Sequence, residues 1–296
     1  MRLPAGLYEL VAAPLAFGLA FSHARRALGA RRAAFEMLAL VAYGYVLERV
    51  AILVFASHVY GGAWRAAPGG VPLAVAATWA AVIVSVMAQA ARLGGGSPIG
   101  RAGRAALFGI ALDLLMEPVA AARGLWAWTP PGPWLSVPLG NFVGWGVIVG
   151  VYTFGAERFG DAVSPGAQAL RRVALGAGAI LALVLVGLAW RAARAERLFE
   201  EGRGALFAGA LFAAAVLAAR PRAETISGTG LAARLGRASG SVPAAVPLLL
   251  AALFAADAFL GGPPALRPVA VVALVVLGRV AIGTSSAGSP APSPSG

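Results

Sequence analysis

The sequence predicts an all-α fold, a polytopic integral membrane bundle of about eight or nine transmembrane helices. Three observations predict it. Of the 296 residues, 59% are hydrophobic and 12% are charged, whereas a water-soluble globule carries about 25% charged residues. Mean hydropathy is +0.80. Apolar windows follow one another along the chain, most of them close to the roughly 20 residues that a helix needs to cross the hydrocarbon. The strict alternation that a transmembrane barrel requires is absent.

The windows justify the spans in order. Residues 5–21 give a first span interrupted by Pro14, and residues 33–56 a second. Residues 71–91 carry no formal charge. Further spans fall at 104–121, 137–156, 173–190, 204–219, 241–260 and 268–283, with 204–219 and 268–283 the shortest. Residues 1–283 therefore read as a single transmembrane domain. The tail at 284–296 is rich in Ser, Pro, Gly and Ala, buries too little to pack, and is expected to be disordered. The first 22 residues lack a signal-peptide layout, because Glu9 interrupts the apolar run.

Charge sets orientation and excludes some chemistry. Net charge is +12, and every basic residue is arginine. The arginines are scattered between spans rather than gathered on a soluble face, which argues against nucleic acid as a partner. Two histidines and no cysteines exclude disulfides, iron–sulfur clusters and cysteine zinc sites. Loops 22–32, 92–104, 157–172 and 220–240 are arginine-rich and belong in the cytoplasm; loops 57–70, 122–138 and 261–267 hold one arginine each. Loop 191–203 breaks the rule with four arginines, which leaves the orientation after residue 190 open. The expected location is the cell membrane, multi-pass, with membrane lipids as neighbours.

One stretch stands out from the Ala/Leu/Val/Gly background: DLLMEPVAAARGLWAWTPPGPWLSVPLGNFVGW, residues 113–145. Asp113 and Glu117 are four apart and share a helix face. A buried carboxylate must be paired, hydrated or protonated. Two of them close together can retain a proton and then donate it; alternatively Arg104 or Arg123 neutralises the pair. Pro118 should kink or stop the helix nearby. Trp126, Trp128 and Trp134, among Pro130, Pro131 and Pro133, form a rigid aromatic rim that either anchors at the headgroups or contacts substrate. Pro138 suits a helix start, and Asn141 and Trp145 share one face of that helix. Asn141 either orients a water or bonds a neighbouring helix. Gly140, Gly144 and Gly146 permit close helix approach.

Other intramembrane polar groups are candidates to complete the site. Glu36 and Tyr43 lie seven apart on one face. Arg49 is placed to neutralise Glu48, and His58 and Tyr60 stand at the exit of the same span.

The order D-x3-E-P, W-x-W, VPL-x-NF-x-GW resembles the membrane carotenoid biosynthesis family, which includes carotenoid 1,2-hydratases acting on acyclic ψ-ends and bisanhydrobacterioruberin hydratases. Asp113, Pro118, Trp126, Trp128, Pro138, Asn141, Phe142, Gly144 and Trp145 fall on the pattern. A weaker echo runs through Glu36, HVYGG and GVPLAVAATW. The likeness is specific over about 110–146. It implies a cofactor-independent hydratase with no metal. Asp113 or Glu117 would protonate the terminal alkene of an acyclic carotenoid drawn from the bilayer. Water, placed by Asn141, would then attack the tertiary cation. Glu36 joins the expected catalytic set. Trp126, Trp128, Trp134, Trp145, Phe142, Tyr43 and Tyr60 are the expected substrate contacts, and other carotenoid enzymes are candidate partners. A membrane prenyltransferase, a proton-coupled transporter and a non-catalytic pigment scaffold are the rival readings.

Overall fold

The computed structural model describes residues 5–93, 97–159, 164–199, 203–220, 226, 229–238 and 240–286. The chain opens with a short helical turn, α1 (Ala5–Leu7), which runs through a π-helical segment (Tyr8–Ala12) into α2 (Ala13–Leu28). Gly29, at φ 83, breaks the helix and starts α3 (Ala30–Phe55). The positive φ suits a residue without a Cβ. Then come β1 (His58–Tyr60), α4 (Leu73–Arg92), α5 (Pro98–Ala122), β2 (Trp126–Trp128), α6 (Leu139–Arg158) and α7 (Pro165–Ala192). A 3-10 turn (Ala195–Phe199) leads to α8 (Arg203–Ala218), the short α9 (Leu231–Arg237), α10 (Val242–Leu260) and α11 (Leu266–Ser286).

The helix starts follow local chemistry. Ser97 and Ser164 cap α5 and α7 by accepting from Gly100 N and Ala167 N, each at 3.3 Å, and each is followed by a proline at the first helical position. Pro72 and Pro138 sit in extended conformation just before α4 and α6.

Among the described residues, seven helices are long and apolar enough to cross a membrane: α3, α4, α5, α6, α7, α10 and α11. The chain is a helical membrane protein. The other two expected spans exist as helices but fall short. In the first, a π segment carrying Glu9 leads into 16 residues of α2, which ends in Arg25 and Arg26; in the second, α8 has 16 residues. Helices α4 and α5 form the buried centre. Leu38 and Leu53 on α3, Leu181 and Leu185 on α7, and Val275 and Ile282 on α11 point outward and exposed. That is a lipid-facing surface rather than a water-facing one.

Tertiary contacts sort the loops into two ends. At one end Arg92 donates to the carbonyls of Gly236, Ala238 and Gly240, and His23 Nε2 lies 2.9 Å from Leu235 O. There too Arg101 pairs with Glu157, whose Oε1 accepts from Ala233 N at 2.9 Å. At the other end Glu9 accepts from Arg65 N and Ala66 N, and Arg123 meets Asp257 at 2.6 Å. Glu196 accepts from Leu139 N at 3.1 Å and Gly140 N at 2.6 Å. The arginine-rich segment that breaks the charge pattern thus packs at the same end as the aromatic loop.

Three expectations change. Pro118 neither stops nor shortens α5, which runs on to Ala122. A proline leaves the carbonyl four residues earlier without its amide partner, and here Trp134 Nε1 donates to Leu114 O at 3.2 Å. Secondly, the all-helical reading omitted a small antiparallel sheet, β1 with β2. Thirdly, residues 284–286 of the expected tail close α11, while 287–296 lie outside the described residues.

Candidate active site

The two strands build the roof of the site. His58 pairs with Trp128, Val59 with Ala127 and Tyr60 with Trp126. Successive strand side chains point to opposite faces, so His58, Tyr60, Trp126 and Trp128 turn inward while Val59, 60% exposed, turns out. The rings touch: His58 lies 5.0 Å from both Tyr60 and Trp128, and Tyr60 lies 5.9 Å from Trp126.

Below this roof is a cavity of about 1000 Å³. Its wall is mostly apolar and aromatic, with Trp79 and Trp145 stacked at 4.1 Å on one side. Two acids face it. Glu117, from α5, accepts from Trp126 Nε1 at 2.7 Å and from Trp128 Nε1 at 3.0 Å, both on Oε2. Glu48, from α3, accepts from Trp79 Nε1 at 2.6 Å and meets His58 Nε2 at 3.2 Å. The Tyr60 hydroxyl also hydrogen-bonds Glu48. Trp79 reaches Glu48 because Gly44 lets α3 and α4 close up; a Cβ there would stand 2.8 Å from the Trp79 Cβ.

Asp113 lies directly behind Glu117, fully buried and outside the cavity lining. Asn141 Nδ2 donates to its Oδ2 at 2.8 Å, and the Asp113 carboxyl also hydrogen-bonds that of Glu117. Asn141 both ties α5 to α6 and lines the cavity. The arginines expected as neutralising partners are engaged elsewhere: Arg123 with Asp257, and Arg104 with Ala90 O at 3.1 Å. Gly146 faces Ile110 of α5, whereas Gly144 and Gly140 face Leu183 and Trp190. The glycines therefore serve two helix contacts.

Two ionisable groups of the roof lie outside the spans. Burial disfavours a charge on His58, but the hydrogen bond and charge of Glu48 outweigh it and raise the imidazole above its usual range. Burial and the Glu48 carboxylate push the Tyr60 phenol far above its ordinary value, so it remains a hydroxyl donor.

The cavity thus gathers Glu117, Asn141, Trp126, Trp128, Trp145 and Tyr60 from the expected set, with Asp113 behind them. Four other members lie elsewhere. Glu36 is not at the cavity; it is locked near the opposite end of the bundle by Arg172 at 2.6 and 2.8 Å, by Gln168 at 3.2 Å and by Arg32 at 3.7 Å. Tyr43 packs on Tyr152 at 5.0 Å and reaches Ile148 O at 3.4 Å. Phe142 is fully buried in the core, and Trp134 is occupied with Leu114 O. Nor does Arg49 neutralise Glu48, since it turns to the carbonyl of Gly69.

Sequence reasoning undervalued Glu48 and His58 and missed Trp79. HVY and WAW are both short β-formers with alternating pattern, and that was the available signal for the roof. The cavity mouth is built from the anomalous loop: Arg191, Arg194, Glu196 and Arg197 line it, with the Arg191 guanidinium 4.9 Å above the Phe55 ring.

The family model described as Carotenoid biosynthesis protein matches residues 7–215, a stretch that contains every cavity residue named above. The chain belongs to the carotenoid biosynthesis protein family. No curated protein and no solved structure matches it significantly. Within this family assignment the geometry has a direct chemical sense. A largely apolar, aromatic chamber with a few convergent polar groups has the form of a small-molecule site.

Proposed function

We propose that this protein hydrates the terminal 1,2 double bond of an acyclic ψ-ended carotenoid, giving a tertiary alcohol, without a cofactor. The observation that carries the reading is Glu117, an acid in the wall of an apolar cavity whose hydrogen-bond donors are indoles. Buried beside a second carboxyl, Asp113, it is suited to hold and deliver a proton. The polyene end enters from the bilayer, and Glu117 protonates C2 of the alkene. Asp113, behind Glu117 and oriented by Asn141, completes the acid pair. The cation forms at the tertiary C1, where ring faces of Trp126, Trp128 and Trp145 stabilise it. Water then attacks C1. The chain works as a multi-pass cell-membrane protein, with α2 and α8 completing nine crossings and the cavity end facing outward.

The test is pigment mass analysis in cells that make lycopene or another ψ-ended carotenoid, with and without this protein. The expected product gains about 18 Da per modified end, and the gain disappears with Glu117→Gln. An unchanged pigment across several ψ-ended substrates, with the protein folded in the membrane, overturns the reading. A gain near 68 Da would replace it with five-carbon prenyl transfer.

A further inference from the structure

The cavity holds a second carboxylate whose surroundings differ from those of Glu117. Glu48 faces the same space but is held by an indole N–H (Trp79, 2.6 Å), an imidazole (His58, 3.2 Å) and the Tyr60 hydroxyl. His58 is fixed in turn: its Nδ1 is 2.9 Å from Ser57 Oγ, and its ring is wedged between Tyr60 and Trp128. Three donors converging on one carboxylate favour its charged form. Glu117 instead has two indoles on one oxygen and a second acid, Asp113, in contact with it. Two carboxyl groups in unlike environments around one space are a means of separating proton donor from proton acceptor.

The hydration reading gains from such a separation. Once Glu117 has given up its proton, it is a base beside a carbocation, and taking the proton back merely reverses the step. Net hydration is favoured when another group holds and deprotonates the water, so that Glu117 is not the base nearest the cation.

We propose that Glu48 is a second catalytic carboxylate of this cavity, the one that deprotonates the attacking water, with His58 and Trp79 as positioning residues. The proposal rests on the hydration reading. In the first step the Glu117 O–H bond breaks, a C2–H bond forms and the alkene electron pair leaves C1 positive. In the second, a water lone pair forms the C1–O bond while one water O–H bond breaks and its proton goes to Glu48. Proton exchange through cavity water then returns that proton to Glu117. The sum is alkene plus water to alcohol, with no change of oxidation state that needs a second reactant.

The experiment separates the two steps. Purified protein in lipid nanodiscs is given lycopene in heavy water, and two quantities are read: hydrated product, and deuterium on C2 of the recovered substrate. Wild type is expected to form alcohol. Glu117→Gln should give neither alcohol nor deuterium. Glu48→Gln should lose at least about 100-fold in alcohol yet still place deuterium on recovered substrate, because the longer-lived cation rotates about C1–C2 and then reverts by losing the original C2 proton to Glu117 instead of the deuteron. His58→Gln should show the same split more weakly, with kcat falling and KM little changed. Should Glu48→Gln fail to accumulate, Glu48→Asp, which keeps the charge but withdraws it by one methylene, is expected to show the split. Wild-type hydration by a folded Glu48 variant overturns the inference and leaves the hydration reading standing. Loss of deuterium exchange together with hydration, in a folded Glu48 variant, also overturns it. Wild type that forms no alcohol brings down the hydration reading and this inference together.

Discussion

Two groups of buried acids in this bundle differ in their partners; Asp257, paired with Arg123 at the cavity end, belongs with the arginine-bound group. At the arginine-rich end, Glu36 is gripped by Arg172 and Glu157 by Arg101. At the cavity end, Glu117 and Asp113 are held by Trp126, Trp128 and Asn141, and Glu48 by Trp79, Tyr60 and His58. An acid bound to a guanidinium has its charge cancelled and its oxygens occupied, so it works as a strut between helices. An acid held by indoles, an amide, a hydroxyl or an imidazole that can itself give up its proton keeps a lone pair or a proton for something else. Burial of a carboxylate in a membrane span is thus a poor guide to function until its donors are known.

The largest expected effect tests the chemical end. Glu117→Gln preserves shape and both faces of the contact with the indoles, and should lower hydration by about 10²–10⁴-fold, read as alcohol formed per folded protein. Near-normal turnover would erase the distinction between the two ends.

The strut end should answer in stability instead. Arg172→Met leaves Glu36 buried beside Arg32 at 3.7 Å with its main partner gone. Such a loss costs about 3–5 kcal/mol, while replacing both partners with apolar residues is often close to neutral. Thermal unfolding in detergent should therefore show Arg172→Met well below wild type, with the Glu36→Leu/Arg172→Met double variant recovering. Activity per folded molecule should be unchanged, and a specific loss of activity would return Glu36 to the site.

A finer comparison sets two tryptophans side by side. Trp128→Phe removes a donor to Glu117 and should change hydration by up to roughly 10-fold, in keeping with about 0.5–1.5 kcal/mol for one hydrogen bond. Trp134→Phe removes a donor to Leu114 O and should cost about 1 kcal/mol of stability with hydration intact. Steady-state rates and melting curves for the pair decide whether the loop divides in this way.

The smallest effect concerns His58, whose ordinary value is 6.5 and which the Glu48 charge raises despite burial. The folded protein holds that proton to higher pH than the unfolded chain. The stabilisation is therefore complete below the ordinary value and is lost as pH rises through the folded one. The melting temperature of wild type should exceed that of His58→Gln most at about pH 5.5, and the gap should close with rising pH. A gap that widens with pH would mean that His58 is buried neutral and Glu48 lacks its charged partner.

The sequence by itself determined the solvent and the local faces. Runs of apolar residues of bilayer length place the spans, because a helix has a fixed rise per residue. Asp113 and Glu117, four apart, fall on one face for the same reason. These are short-range periodicities, and they survive any packing. Tertiary structure decided which face meets which. Glu36 and Arg172 are 136 residues apart, and nothing local distinguishes Glu36 from Glu48 as the acid that finds an arginine. The pairing of HVY with WAW brings His58 to Trp128 across 70 residues of chain that include two long helices. Trp134 was legible as aromatic and interfacial, but its service to the carbonyl stranded by Pro118 depends on where the loop folds back. Periodicity says which way a side chain points; its partner, and so the charge it keeps, depends on how the helices pack.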